Sequence, residues 1–170
     1  MNLFKFLVFA LLFGYVSHPN LAQGKYKVYF FLLEECKITQ AYVKEINRLK
    51  KEYDCDSIAF KAFFPSPSSE VNLVEKFMEE YQIDLNYEMD ELQVAASKFD
   101  ITVMPEVVLY DESNMKILYQ GRIDNLFAKI GKRRSRATKH ELNDCLESIR
   151  NGKLINPFIT NAIGCFLTRL

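Results

Sequence analysis

The chain has 170 residues, 49% of them hydrophobic and 26% charged, with 22 basic against 22 acidic side chains. That length suits one domain with a real core. A formal net charge of zero argues against nucleic acid as the main partner.

Lys5 gives a short positive start, and Phe6 to Val16 is apolar and uncharged. His18-Pro19-Asn20-Leu21-Ala22 follows as a cleavage region, so residues 1–22 read as a secretory signal and the mature chain begins near Gln23. The run is short for a bilayer crossing; an uncleaved N-terminal anchor is the alternative. After cleavage no stable membrane span is expected. The product would be exported, periplasmic or secreted, in a compartment where thiols pair.

Tyr26 to Leu33, rich in aromatic and β-branched residues, predicts a strand. From Lys37 to Tyr53, apolar residues at Ile38, Tyr42, Ile46, Leu49 and Tyr53 keep helical spacing. Ser57 to Phe64 is a second strand, closed by Pro65-Ser66-Pro67. Ser66 as N-cap and Pro67 at the first helical position predict a helix to about Gln82. Leu85 to Met89 is a candidate short strand. Asp90 with Gln93 has capping-box spacing and opens another helix. Glu106 to Tyr110 and Lys116 to Gln120 form a hairpin around Asp111-Glu112-Ser113-Asn114. Thr138 with Glu141 has the same capping-box spacing and launches a last helix through Arg150. Residues 23–152 make one domain. The tail, 153–170, is too apolar for a linker and is expected to pack on it.

Two features carry chemistry. Cys36 lies where the first strand gives way to the first helix, and a helix N-terminus favours a thiolate. Met104-Pro105 directly precedes a later strand, a place where a cis peptide is common. Strand, cysteine, helix and a later X-Pro strand is the arrangement of thiol redox domains. The element order gives an α/β fold with a mixed central sheet and helices on both faces, its βαβ crossover right-handed.

That order resembles the thioredoxin fold. The chain is similar to the redoxin branch of that superfamily, near the alkyl hydroperoxide reductase and thiol-specific antioxidant group. The residues carrying the likeness are Tyr29-Phe-Phe-Leu-Leu-Glu-Glu-Cys36-Lys-Ile-Thr39, Ala95 to Ile101, Met104-Pro-Glu-Val-Val-Leu-Tyr-Asp111 and Tyr119-Gln-Gly-Arg-Ile-Asp124. The resemblance implies an exposed nucleophilic thiol at Cys36 beside Pro105, attacking a disulfide through a mixed-disulfide intermediate. Protein thiols or disulfides are the implied partners, and no cofactor or metal is implied.

The pattern departs from its relatives in two places. Thr39 stands where redox-active thioredoxins carry the second cysteine of Cys-x-x-Cys, so the implied site is Cys36, Thr39 and Pro105 with no local resolving thiol. Tyr29 and Leu33 stand where peroxiredoxins have Pro and Thr, which argues against peroxidase chemistry. Glu34 and Glu35 oppose thiolate formation at Cys36, against the helix dipole.

Cys165, after Gly164, is the candidate resolving thiol. The last helix runs away from the active-site end, so the tail must return by roughly 20 Å, within reach of about a dozen extended residues. A Cys36–Cys165 disulfide is one reading and an unpaired tail thiol the other. Cys145 falls on the apolar face of the last helix and reads as core. A structural Cys55–Cys145 bridge is possible in an oxidising compartment.

Lys132-Arg133-Arg134 and Arg136 form a basic loop expected near the active-site end, solvated or attracting an acidic partner. Arg122 and Asp124 read as a strand-end ion pair or turn anchor. His140 reads as surface, although Cys36, Cys165 and His140 could together bind copper. Two functions follow: an exported thiol-disulfide oxidoreductase, or a non-catalytic binding module holding a protein partner or copper ion.

Overall fold

A computed structural model describes the protein over residues 25–170. The expected signal segment, 1–22, and the start near Gln23 lie outside those residues.

Strands β1 (Tyr26–Phe31), β2 (Ile58–Phe64) and β3 (Asn86–Met89) are parallel neighbours, as the βαβ reading requires. β4 (Val103–Met104) precedes the hairpin of β5 (Glu106–Asp111) and β6 (Lys116–Gly121). β5 runs antiparallel to β1, so the sheet is mixed. Its six strands lie in the order β3-β2-β1-β5-β6-β9, the last being β9 (Phe158–Ile159) from the tail. A separate two-stranded ribbon joins β7 (Phe127–Lys129) to β8 (Lys132–Arg133) inside the basic loop.

Helix α1 (Lys37–Tyr53) has the bounds its periodicity predicts. It buries Ile38, Tyr42, Val43, Ile46, Leu49 and Tyr53, each worth roughly 1.5–3 kcal/mol relative to exposure for an apolar side chain of that size. Helix α2 (Val71–Glu80) sets Phe77 edge-on against Phe64 of β2, and Asn47 of α1 bonds the carbonyl of Gln82 just past its end. Helix α4 (Glu141–Arg150) meets α1 through Asn143, whose side-chain oxygen accepts from Arg48 at 2.7 Å. These three helices share the sheet face of Phe30 and Phe60. Helix α3 (Val94–Lys98) lies on the other face, where Phe99 at its end packs on Tyr29 and Phe31.

Three helix starts differ from expectation. Ser66 and Pro67 form a turn, with the Ser69 N–H on the Ser66 carbonyl, and α2 begins five residues after Ser66. Asp90 does not cap locally; its carboxylate takes the Ala95 and Ala96 N–H groups of α3 instead. Thr138 is tied to Asn125, and α4 starts from His140.

The tail packs on the domain through two short strands. Thr160 bonds the Gln120 carbonyl through its N–H, and Phe158 lies opposite Tyr119 as β9 extends the sheet. Gly121 makes that approach feasible, since a Cβ there would lie 2.2 Å from the Thr160 carbonyl oxygen. The chain then crosses to β10 (Cys165–Phe166), antiparallel to β4.

Candidate active site at the prolyl loop

Leu32 ends the β1 ladder by bonding the Phe63 carbonyl, and the chain turns through Leu33–Glu35 into α1. Cys36 is the residue that caps α1: its carbonyl accepts from Gln40 N–H at 2.9 Å, and its side chain plays no capping part. The thiol is therefore free to point elsewhere, and it donates to the Met104 carbonyl at 3.5 Å. The Met104–Pro105 bond is cis. The structure thus brings the Cys36 thiol to the carbonyl that precedes Pro105.

The exposure of Cys36 differs from the expectation. The residue is 2% exposed, not open at the sheet rim. What lies over it is the tail. Cys165 stands opposite Met104 in the β10–β4 register, and its thiol adjoins the Cys36 thiol. Met104 thus serves both cysteines, pairing with one through the backbone and accepting from the other through its carbonyl.

Gly164 permits this approach through lack of bulk. A Cβ on it would lie 2.0 Å from the Met104 carbonyl oxygen. Beyond β10, the Leu167 N–H bonds the Thr102 carbonyl at 2.9 Å and Arg169 pairs with Asp100 at 3.2 Å. Gln93, which the sequence suggests only as the second member of a capping box, is the central fastener. Its amide donates to the Thr168 carbonyl at 2.7 Å and to the Pro65 carbonyl at 3.1 Å, while its oxygen accepts from Leu170 N–H at 3.3 Å. It does so from a left-handed conformation, φ 52°, that non-glycine residues seldom adopt. The only sequence signal for it was a polar residue at capping-box spacing from Asp90.

Both thiols border a cavity of about 600 Å³. Its apolar wall comes from Leu33, Ile38, Phe127, Ile130 and Phe166. Phe127 and Ile130 place the basic loop at the active-site end, as expected. Burial, the adjoining Cys36 thiol and the nearby Glu35 carboxylate hold the Cys165 thiol above its ordinary value. Glu34 and Glu35 divide their roles. The buried Glu34 carboxylate accepts from Ser69 hydroxyl at 2.7 Å, and the charge of Glu35 reaches Cys165.

Thr39, one turn along α1, is fully buried, and its hydroxyl has no hydrogen-bond partner among the described residues. Glu106, directly after Pro105, is a second buried carboxyl; desolvation raises its pKa even though Gln120 donates to it at 3.0 Å.

The other cysteines do not form the bridge considered above. Cys55 is exposed and bonds Ser57 hydroxyl at 3.3 Å, which lowers its pKa. Cys145 is a free buried thiol on the core face of α4, pushed up to about 12 by burial. The two thiols occupy different environments, one in solvent and one in the core. His140 is exposed and is not brought to the two site thiols. Among the described residues no three His, Cys, Asp or Glu side chains gather as a metal site, which removes the copper alternative there. Arg122 does pair as a strand-end ion, but with Glu141; Asp124 instead accepts from Tyr42 hydroxyl at 2.7 Å.

No family model and no curated protein matches the chain. Solved structures do. A hypothetical protein from Sinorhizobium meliloti superposes with a TM-score of 0.75 at 16% identity, over 88% of this chain and 82% of that one. A thioredoxin-like protein solved in its oxidised form gives 0.57 at 11% identity, over 77% and 81%. The chain has a thioredoxin-like fold. A secreted disulfide oxidoreductase from Mycobacterium tuberculosis gives 0.55 at 15% identity, over 75% of this chain and 84% of that one. In this chain the cysteine after β1 meets the cis-prolyl loop, and strand β10 pairs alongside that loop. Among the described residues no helix is long and apolar enough to cross a membrane.

Proposed function

We propose that the protein is an exported thiol-disulfide oxidoreductase whose redox pair is Cys36 and Cys165, acting on protein thiols or disulfides. The observation that carries this reading is the meeting of both cysteines at Met104 of the cis-prolyl loop, one through its thiol and the other through its backbone. It supplies from the C-terminus the second sulfur that Thr39 fails to supply within α1.

In the reducing direction one protein thiolate attacks a substrate disulfide R–S–S–R′. A protein–S–S–R bond forms and R′–S⁻ leaves with the electron pair of the broken bond. The second protein thiolate attacks the protein sulfur of that mixed disulfide, forming Cys36–Cys165 and releasing R–S⁻. The substrate gains two electrons and the pair loses two. The reverse sequence passes the disulfide to a substrate dithiol. Recharging in the reducing direction requires an external dithiol.

Export rests on the apolar Phe6–Val16 segment and the cleavage region after it. N-terminal sequencing of the protein from its own cell should begin near Gln23; Met1 retained on the mature protein would refute it.

Stoichiometry tests the redox reading. Reduced protein in a Cys55→Ser background, mixed with a small aromatic disulfide, should release two aromatic thiols per chain and end as the internal disulfide. Adding Cys165→Ser should leave one thiol released and one aromatic group attached. A non-catalytic module of the same fold is the competing reading, favoured by the burial of Cys36. It requires that no internal disulfide form.

A further inference from the structure

We infer that Cys165, rather than the helix-capping Cys36, is the sulfur that external thiols attack in the oxidised protein. This rests on the redox-pair reading and reverses the roles that the helix position alone would assign.

Access is the first argument. Thiolate attack on a disulfide proceeds in line, the nucleophile arriving opposite the sulfur that leaves. Cys36 is 2% exposed, its thiol bonded to the Met104 carbonyl beside the paired strand β10. Cys36 borders the cavity, but almost none of its surface is open to a nucleophile. Cys165 is half-buried and borders the cavity of about 600 Å³. A nucleophile arriving through that cavity therefore meets more of Cys165 than of Cys36.

The leaving group is the second argument. Attack at Cys165 expels Cys36 at the N-terminal end of a 17-residue helix, whose dipole favours a negative charge. Attack at Cys36 would expel Cys165 from a two-residue strand. Burial and the Glu35 charge disfavour an anion there. Access and leaving-group stability therefore select the same sulfur.

The step balances as follows. R–S⁻ bonds to the Cys165 sulfur, the Cys36–Cys165 bond breaks, and Cys36 leaves as a thiolate. A second thiolate, R′–S⁻, then attacks the R sulfur, giving R–S–S–R′; Cys165 departs and takes a proton. Two substrate thiols are oxidised and the protein disulfide is reduced. Because Cys165 is the poorer leaving group, its mixed disulfide outlives the first step. The polarity suits a disulfide donor better than a reductant.

The test uses the full chain with Cys55→Ser, which removes the exposed thiol outside the site. The oxidised protein is mixed with glutathione as the probe, quenched in acid at early times and peptide-mapped without reduction. Glutathione should be found on Cys165 in about tenfold or greater excess over Cys36. Equal labelling, or an excess on Cys36, overturns the inference and leaves the redox pair standing. Failure of the oxidised protein to form a Cys36–Cys165 disulfide overturns the pair and the inference with it.

Discussion

Gly164 and Met104 approach so closely that a methyl group on the glycine would lie 2.0 Å from the methionine carbonyl oxygen. The contact fixes where Cys165 sits, because the next residue along pairs with Met104 itself. The strand that brings the second thiol also covers the first.

Gly164→Ala should therefore lift the tail. The clash involves backbone on the Met104 side, and overpacking of this kind costs roughly 1–3 kcal/mol. If that cost falls on the closed state, Cys36 alkylation in the reduced protein should rise by between about 5-fold and about 150-fold. Mass spectrometry of iodoacetamide-treated protein reads the rate. An unchanged rate would show that the tail does not guard Cys36.

Gln93→Gly should loosen the same segment from its far end. The substitution relieves the φ 52° conformation but removes three hydrogen bonds, each worth about 0.5–1.5 kcal/mol. Hydrogen exchange at the Leu167 amide should accelerate while that of β1 stays slow. Equal acceleration in both would mean that Gln93 supports the whole domain rather than the tail.

The sequence made the frame legible and the closure of the site much less so. Tyr26 to Phe31 and Lys37 to Tyr53 announce themselves because an aromatic run and a 3.6-residue apolar period are local properties. Cys36 beside Pro105 was readable from order alone. The burial of Cys36 was not, because it depends on a contact 129 residues away in sequence, from a segment of few regular signals. Ser66-Pro67 and Thr138 misled because serine and threonine stabilise turns as readily as helix starts, and here their partners lie in loops. Gln93 was invisible in its real role, since a side-chain clamp on a distant tail leaves no periodic trace.

The reactivity of Cys165 in the reduced protein should depend steeply on pH. Its thiol lies above the ordinary 9.0, so the thiolate fraction climbs about tenfold per pH unit through the neutral range and beyond. Alkylation of Cys165 should keep rising past about pH 9 without a plateau. A plateau near neutrality would show an anion stabilised at that site.

Glu106 should impose a pH dependence on stability. Burial raises its folded pKa above the ordinary 4.5, so the folded state holds its proton after the unfolded chain has released one. Stability therefore falls as pH rises from that ordinary value through the folded pKa. Glu106→Gln keeps an acceptor for Gln120, cannot ionise, and should melt higher than the parent at neutral pH. The difference should vanish in acid. A variant less stable at neutral pH, with an unchanged slope, would refute the assignment.

Cys145→Ser should act on packing alone. It places a hydroxyl in a site 3% exposed, at a cost of about 1–3 kcal/mol. Denaturant melts should show that loss, with the redox behaviour of the Cys36–Cys165 pair unaltered. A changed disulfide pattern would restore the Cys55–Cys145 bridge that the two free thiols argue against.

The most direct measurement is a peptide map of the unreduced protein after equilibration in glutathione buffers spanning reducing to oxidising ratios. A single fragment pair carrying Cys36 joined to Cys165, appearing and disappearing reversibly with the buffer, is the predicted result. Both thiols remaining free at the oxidising limit would contradict the account.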